Sequence, residues 1–358
     1  MLKRPRIGLI GPDDSQPCGI ADYTGLLREA LGSRAEVAFA AYRDALEAGR
    51  FDSCQALLVQ YERSLMPGWD FLPRLARQYP GKIYLVPHEV YAEDPFAFPY
   101  ANLRAGCRPY LWLKRWRYRW RHREYGRENA LQRRGYFAQG IIPVSPSGAE
   151  ILKAWTPERV KTHIPLAFPA PRPGFPGARP ASRDYFPVPP RAILGVFGFL
   201  NPSHDYASLL DLLAGLEAGI CLLMVGSYRD GERVGEKLDK EVAARGLTAR
   251  VRVTGYIPAP ALDAHLGLCD VFISPWRFKS SSASLLHLFP LGKPIFAADL
   301  PLTRYLRGEG APLEIYTGPA ELSAKVKAAL EGRYRVPANR YPWTFDKVAE
   351  AYLQTMLE

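Results

Sequence analysis

A short stretch rich in cations and hydroxyls offers the clearest chemistry in this sequence. Arg277 and Lys279 alternate with aromatic residues, and Ser280-Ser281-Ser282-Ala283-Ser284 follows directly. Guanidinium and ammonium groups pair with phosphate oxygens, and hydroxyls and the N-terminus of a following helix add hydrogen-bond donors. We therefore predict a diphosphate-binding site formed by Arg277, Lys279, Ser282 and Ser284. The alternative is a serine-rich helix cap flanked by solvated Arg and Lys side chains.

A second unusual segment combines tryptophan with arginine. In a helix over residues 110–134, Trp112, Trp116 and Trp120 would form one row at i, i+4 spacing. Residues 104–134 hold eleven Lys and Arg against two Glu, a charge of +9 in a chain whose formal net charge is +11. Such a segment suits an anionic membrane surface or a lipid-linked ligand. The predicted surface residues are Trp112, Arg115, Trp116, Arg119, Trp120 and Arg123.

Two other interpretations of this segment stay open. The tryptophan row could pack on its own domain, or the Trp and Arg side chains could stack on and pair with nucleic acid or another polyanion. We expect nucleic acid to be the least favoured of these partners.

Bulk composition places the chain among globular α/β proteins. Its 358 residues suggest two domains, and no apolar run approaches the roughly 20 residues of a membrane span. The five cysteines are odd in number and scattered, which disfavours a disulfide framework or a zinc site. We expect a cytoplasmic protein, peripheral on the inner face of the membrane if the Trp/Arg segment binds lipid, with no metal.

Short apolar runs alternate with helical spacing in both halves of the chain. Predicted strands cover 6–11, 37–41, 56–61, 82–86, 140–144, 192–199, 220–225, 250–254, 271–274 and 294–298. Predicted helices cover 20–31, 71–78, 207–216, 231–245, 259–269, 282–289, 320–331 and 344–357. This alternation predicts two doubly wound, Rossmann-like α/β domains, which we expect to face each other across a cleft.

The predicted domain boundaries follow composition. Residues 167–190 contain eight prolines and lack periodicity, so they are predicted to be a semi-rigid linker. The linker separates an N-terminal Rossmann-like domain (1–166) from a C-terminal Rossmann-like domain (191–341). The last helix, within 342–358, is predicted to return to the N-terminal domain.

Several motifs, in this order along the chain, resemble those of glycosyltransferase family 4, whose fold is GT-B. They are Cys18-Gly19-Ile20-Ala21-Asp22-Tyr23-Thr24, Gln60-Tyr61-Glu62 with His88-Glu89, Val253-Thr254-Gly255-Tyr256-Ile257-Pro258, and Cys269-Asp270-Val271-Phe272-Ile273-Ser274-Pro275 with Gly292-Lys293-Pro294-Ile295. The closing Trp343-Thr344-Phe345-Asp346 is also similar to the family's last helix.

The resemblance implies transfer of a hexose or related sugar from a nucleotide-sugar donor, with retained anomeric configuration and without a metal or other cofactor. It implies that the N-terminal domain is on the acceptor side and that the C-terminal domain binds the donor. It makes His88 the first candidate near the reacting sugar, with Glu89 and Glu62 as second choices, although a histidine at a strand end is often structural. The donor-binding residues it implies, besides the four named above, are Gly19, Ile20, Asn201, His204, Gly255, Tyr256 and His287. The implied acceptor is lipid-linked or an envelope polysaccharide.

The sequence departs from the family at the usual donor contacts. The family's two acidic residues, eight apart, would fall on Lys279 and His287, and its Arg and Lys would fall on Phe199 and His204. Arg277 and Lys279 are therefore predicted to replace the family's cationic diphosphate contacts. The alternative is a non-catalytic homologue that acts as a binding partner in envelope glycan assembly.

Overall fold

The computed structural model describes residues 4–12, 18–62, 65, 70–90, 140–169, 185–228 and 232–358. The chain divides into two compact units, Met1–Leu166 with Phe345–Glu358, and Ala167–Thr344. Within the described ranges, none of the helices is long and apolar enough to cross a membrane.

The first unit is built on a parallel sheet with the strand order β2-β1-β3-β4-β5. Its strands are β1 (Arg6–Gly11), β2 (Glu36–Ala41), β3 (Ala56–Tyr61), β4 (Lys82–Pro87) and β5 (Gly140–Ile141). Its helices are α1 (Gly19–Gly32), α2 (Phe71–Gln78) and α3 (Pro146–Trp155). β3 is buried along its whole length, as expected for a central strand with helices on both faces.

The second unit contains a six-stranded sheet with the order β11-β10-β9-β6-β7-β8. Its strands are β6 (Ala192–Phe197), β7 (Ile220–Val225), β8 (Val251–Val253), β9 (Val271–Ser274), β10 (Ile295–Ala298) and β11 (Glu314–Tyr316). Its helices are α4 (Tyr206–Ala214), α5 (Glu232–Ala244), α6 (Ala259–Leu268), α7 (Ala283–His287), α8 (Pro301–Gly308) and α9 (Pro319–Leu330). Every strand pairing in it is parallel.

These two sheets confirm the predicted α/β class with parallel, doubly wound sheets. In the second unit the order runs outward from β6 through β7 to β8 on one side, and from β9 through β10 to β11 on the other. This is the arrangement of a Rossmann-like domain, in which the strand order reverses between β6 and β9.

The last helix, α10 (Phe345–Leu357), belongs to the first unit. It packs on α1, where the rings of Tyr23 and Phe345 lie 5.1 Å apart and Arg34 pairs with Asp346 at 3.2 Å. Its buried face includes Tyr352, which is fully enclosed. The first sheet is therefore covered partly by the end of the chain.

Two predicted elements are three residues shorter than expected. The helix predicted over 282–289 is only five residues long and continues as a 3-10 turn at Phe289–Leu291. Pro290 explains this, because proline disfavours helical backbone at the residue before it and has no N–H to donate. The strand predicted over 140–144 ends at Ile141, and Pro143 likewise lacks the N–H that a longer ladder needs.

Candidate functional site

The candidate residues of the second unit lie at the carboxyl edge of its sheet. Strands β6, β7, β8 and β9 end at this edge, and the segments that follow them carry the predicted donor-binding residues. The reversal of strand order between β6 and β9 lies in the middle of the edge. Ligands of doubly wound sheets bind beside such a reversal, since the neighbouring connections run to opposite faces.

Three glycines with positive φ line this edge. Gly198 (φ 118°) and Gly226 (φ 151°) directly follow β6 and β7, and Gly255 (φ 77°) follows β8 after one residue. A Cβ on Gly226 would lie 2.0 Å from the carbonyl oxygen of Gly198, and a Cβ on Gly198 would lie 2.9 Å from Ser284 Oγ. Glycine is thus required at both positions, and it leaves backbone groups that a ligand can approach closely.

The sequence analysis named Gly255 but not Gly198 or Gly226. The signal that could have found them is a glycine directly after an apolar strand, which in parallel sheets is often a phosphate-binding turn.

His204 is buried, with 5% of its surface exposed, and it connects two segments of the edge. The Trp276 indole N–H donates to His204 Nε2 at 3.1 Å. Because an indole nitrogen can only donate, Nε2 carries no proton and the proton lies on Nδ1. Nδ1 is 3.3 Å from both the carbonyl oxygen and Oδ1 of Asn201.

His204 is therefore neutral near pH 7. Burial lowers the pKa of His204 to about 4, and the nearby charge of Lys279 acts in the same direction. A neutral imidazole adds no positive charge for a diphosphate. Its contacts hold Asn201 and Trp276 in place, and its predicted place in the donor site stays a prediction.

Arg277 is paired with an acidic residue that the sequence analysis did not consider. Its Nη2 lies 3.0 Å from Asp205 Oδ1, and 58% of the Arg277 side chain is exposed. Asp205 is the N-cap of α4 and accepts hydrogen bonds from the N–H and hydroxyl of Ser208. Burial raises the pKa of Asp205, but hydrogen bonds from Ser208 and Arg277 outweigh it and hold the pKa below its usual value.

The serine-rich stretch contains both a helix cap and a hydroxyl that lies beside the glycines at the carboxyl edge of the sheet. Ser282 caps α7, since its Oγ accepts the N–H of Leu285 at 3.1 Å. Ser284 is half-buried beside Gly198, and its Oγ lies 3.1 Å from Ser282 Oγ. Because α7 has only five residues, its dipole is smaller than that of the longer helix predicted from the sequence.

Three further predicted residues lie around the same edge. Lys279 is half-buried and close enough to His204 for its charge to lower the histidine pKa. Tyr256, beside Gly255, is 42% exposed. The His287 ring meets Phe197 edge-on at 6.0 Å, and its Nδ1 lies 3.2 Å from the carbonyl oxygen of Ala283.

In the first unit, Gly19 and Ile20 form the first turn of α1. Cys18 is the N-cap, and its sulfur accepts the Ile20 N–H at 3.4 Å. Gly19 is exposed, and a Cβ added to it would meet no described atom within 4 Å. Packing therefore does not require glycine here. By contrast, a Cβ on Gly11 would lie 2.9 Å from the side chain of Thr24, because α1 packs closely on the end of β1.

His88 directly follows β4 and is buried, with 4% of its surface exposed. Its Nε2 lies 2.9 Å from Oε1 of Gln60, which is completely buried at the end of β3. The Tyr23 ring meets the His88 ring edge-on at a centroid distance of 5.6 Å. The neighbouring Glu89 is half-buried. The sequence analysis had placed Gln60 in a motif without giving it a role.

The predicted surface residues of the Trp/Arg segment lie outside the described residues. They are Trp112, Arg115, Trp116, Arg119, Trp120 and Arg123.

The sequence of the second unit matches a known protein family. Residues 191–331 match the family model described as Glycosyl transferases group 1. These residues hold β6 to β11 and α4 to α9, including all the candidate residues of the second sheet edge. No match was found among curated protein sequences.

The fold of nearly the whole chain is similar to several solved structures. HepE from Anabaena, in complex with UDP and glucose, superposes with a TM-score of 0.71 at 14% identity, over 98% of this chain and 99% of that one. Sucrose-phosphate synthase from Thermosynechococcus elongatus has a TM-score of 0.62 at 14% identity, over 99% and 95%. WaaG, a glycosyltransferase involved in lipopolysaccharide biosynthesis, has a TM-score of 0.60 at 12% identity, over 98% and 95%. At these identities the likeness is one of fold. Residues 191–331 are thus similar in sequence to the Glycosyl transferases group 1 family, and the chain has the GT-B fold of these structures.

Proposed function

We propose that this chain is a glycosyltransferase that moves a sugar from a nucleotide-sugar donor to an acceptor. The observation that supports this most strongly is the carboxyl edge of the second sheet. There, Gly198, Gly226, Ser284, Arg277 and Lys279 follow strands that meet beside the reversal of strand order. Backbone N–H groups, a hydroxyl and two cations are suited to a diphosphate.

The chemistry requires stabilisation of the leaving group. During transfer, the bond between the anomeric carbon and the diphosphate oxygen breaks, and a bond to an acceptor hydroxyl forms. Negative charge then accumulates on the leaving nucleoside diphosphate. Lys279 and Arg277, with the backbone donors, would stabilise that charge without a metal ion. We infer a hexose as the sugar and retention of its anomeric configuration from the family resemblance.

The comparisons suggest which ligands to try first. HepE was solved with UDP-glucose, so UDP and UDP-glucose are the first candidates for the donor site. WaaG acts in lipopolysaccharide biosynthesis. We propose a lipid-linked or envelope polysaccharide acceptor for this chain, with the Trp/Arg segment at the cytoplasmic face of an anionic membrane.

The test is a thermal-shift screen with UDP, GDP, ADP, TDP, CMP and their common sugars, in buffer containing EDTA. A ligand present at about 100 times its Kd stabilises the folded state by about 2.7 kcal/mol, so one nucleotide should raise the Tm by several degrees. In Arg277→Ala, loss of a charged hydrogen bond of about 1.5–3 kcal/mol should weaken binding about tenfold or more.

Arg191→Ala is the matched control. Arg191 is also 58% exposed and pairs with a carboxylate, Glu217, but it precedes β6 and so lies at the opposite edge of the same sheet. This variant should bind the nucleotide as the wild type does. If no nucleotide raises the Tm of the wild type, the chain lacks a donor site and the proposal is wrong. If both variants lose binding equally, Arg277 is not a phosphate ligand.

A further inference from the structure

The segments that follow β6 and β9 are joined by backbone hydrogen bonds beside the reversal of strand order. The N–H of Asp205 donates to the carbonyl oxygen of Pro275 at 2.6 Å, and the N–H of Arg277 donates to the carbonyl oxygen of Ser203 at 2.7 Å. An antiparallel bridge lies between these two bonds. The backbone of both residues is therefore fixed, and only the Arg277 side chain remains to be placed.

The carboxylate of Asp205 is held at the N-terminus of α4. Its Oδ2 accepts the hydroxyl of Ser208 at 2.7 Å, and its Oδ1 accepts the N–H of Ser208 at 3.4 Å. The same Oδ1 lies 3.0 Å from Nη2 of Arg277. The position of this acceptor is thus set by the helix and does not depend on the arginine.

The Arg277 side chain has no comparable anchor of its own. It is 58% exposed, and Asp205 is the one side chain among the described residues that bonds to its guanidinium. A free arginine side chain occupies many rotamers, and the entropy of ordering it corresponds to about a tenfold loss in binding. The contact with Asp205 removes that cost before a ligand binds.

The same contact leaves most of the guanidinium available. The group has five N–H donors in one plane, and only Nη2 contacts Asp205. Nε and Nη1 bond to no other side chain in the described part of the chain. They can donate to phosphate oxygens while Nη2 stays bonded to the carboxylate.

We propose that Asp205 is a positioning residue that orders the Arg277 guanidinium for a diphosphate. This rests on the proposed function, which places a nucleoside diphosphate at this edge of the sheet. The carboxylate also repels phosphate, but two like charges about 6 Å apart in water weaken binding only about threefold, and salt reduces this further. Ordering outweighs repulsion, so loss of the contact weakens binding.

The first test measures the order of the guanidinium without a ligand. ¹⁵N relaxation of the arginine Nε groups gives their order parameters, and the Arg277 signal is identified by its loss in Arg277→Lys. In Asp205→Ser the shorter side chain still caps α4 but does not reach Arg277, so the order parameter should fall. Asp205→Asn keeps the cap and an oxygen at the same reach, and should retain most of the order.

The second test measures binding by isothermal titration with UDP, GDP, ADP and TDP. For the diphosphate that binds the wild type, Kd should rise about threefold or more in Asp205→Ser and stay within about twofold in Asp205→Asn. In the Arg277→Ala background, Asp205→Ser should no longer weaken binding, because no guanidinium is left to order.

Asp211→Ser is the matched control. Asp211 lies in the last turn of α4, which leads to the start of β7 at the opposite edge of the sheet, and it pairs with Arg245 at 2.8 Å. Breaking this pair should leave Kd unchanged.

An unchanged or lower Kd in Asp205→Ser would overturn the inference, as would an order parameter of Arg277 that does not fall in this variant. A failed proposed function has a different signature. In that case Arg277 would lose order in Asp205→Ser, yet none of the four diphosphates would bind the wild type. Asp205 and Arg277 would then form a structural pair only.

Discussion

At the scale of single residues, two features reduce the positive charge at the carboxyl edge of the second sheet. Arg277 is paired with Asp205, and His204 is neutral, so the edge carries less positive charge than its residue types suggest. The guanidinium has five N–H donors in a fixed plane, so its bond to Asp205 leaves donors for a phosphate.

The low pKa of His204 makes a prediction about stability. The unfolded chain takes up a proton on this ring near pH 6.5, whereas the folded chain does so only near pH 4. Acid therefore favours the unfolded state, and stability from this group is lost as the pH falls from 6.5 to 4. Between pH 7 and pH 5 this one group should lower the free energy of unfolding by about 2 kcal/mol.

Urea unfolding of wild type and His204→Gln at the two pH values checks this. Glutamine does not titrate, yet its carbonyl oxygen can still accept the Trp276 N–H. The variant should therefore lose about 2 kcal/mol less than the wild type on acidification. An equal loss in both proteins would mean that His204 is already accessible to protons in the folded state.

At the scale of elements, the glycines after β6, β7 and β8 determine how closely anything can approach the sheet edge. Gly226 has a positive φ, and a Cβ added to it would overlap a neighbouring carbonyl oxygen. Gly255 also has a positive φ, but a Cβ added to it would meet no atom within 4 Å. The two positions therefore separate backbone strain from steric overlap.

We predict that Gly255→Ala costs about 1–2 kcal/mol of stability, the strain of a left-handed alanine. Gly226→Ala should cost more than about 3 kcal/mol, because β6 and β7 must also move apart to admit the methyl group. Chemical denaturation of the two variants gives the comparison. Similar losses in both would show that the turn after β7 can rearrange without cost.

The strands were the most predictable elements. Arg6–Gly11, Ala56–Tyr61, Ile220–Val225 and Val271–Ser274 have the predicted bounds, because each is built on a short apolar run of strand length. Helices α3 and α8 were not predicted. Each begins with proline, which breaks a helix in its interior but is favoured at the first helical position.

The site was predictable in residue type but not in contacts. The sequence places hydroxyls, cations and glycines after strands, and parallel strands bring those ends to one edge. It does not show that Asp205 meets Arg277, since the two are 72 positions apart and only the folded sheet brings them together. For the same reason, the bond between Gln60 and His88 emerged only from the register of β3 and β4.

At the scale of the whole molecule, the similarity of fold to known structures covers more of the chain than the similarity of sequence to a known family. The family model matches residues 191–331 alone, whereas the likeness to HepE covers 98% of the chain. The first unit thus keeps the fold without a matching family sequence. α10 completes this unit by packing on α1. Its Phe345 ring contacts Tyr23, and the Tyr23 ring in turn contacts His88.

The most direct test of the central claim is hydrogen–deuterium exchange of the full chain with and without the nucleotide that raises its Tm. A nucleoside diphosphate at the second sheet edge should slow exchange in peptides covering 198–204 and 276–284. Peptides around Arg191 and Gly219, which precede β6 and β7 at the opposite edge, should be unchanged. Protection confined to that opposite edge, or no protection anywhere, would contradict the assignment of a donor site to this domain.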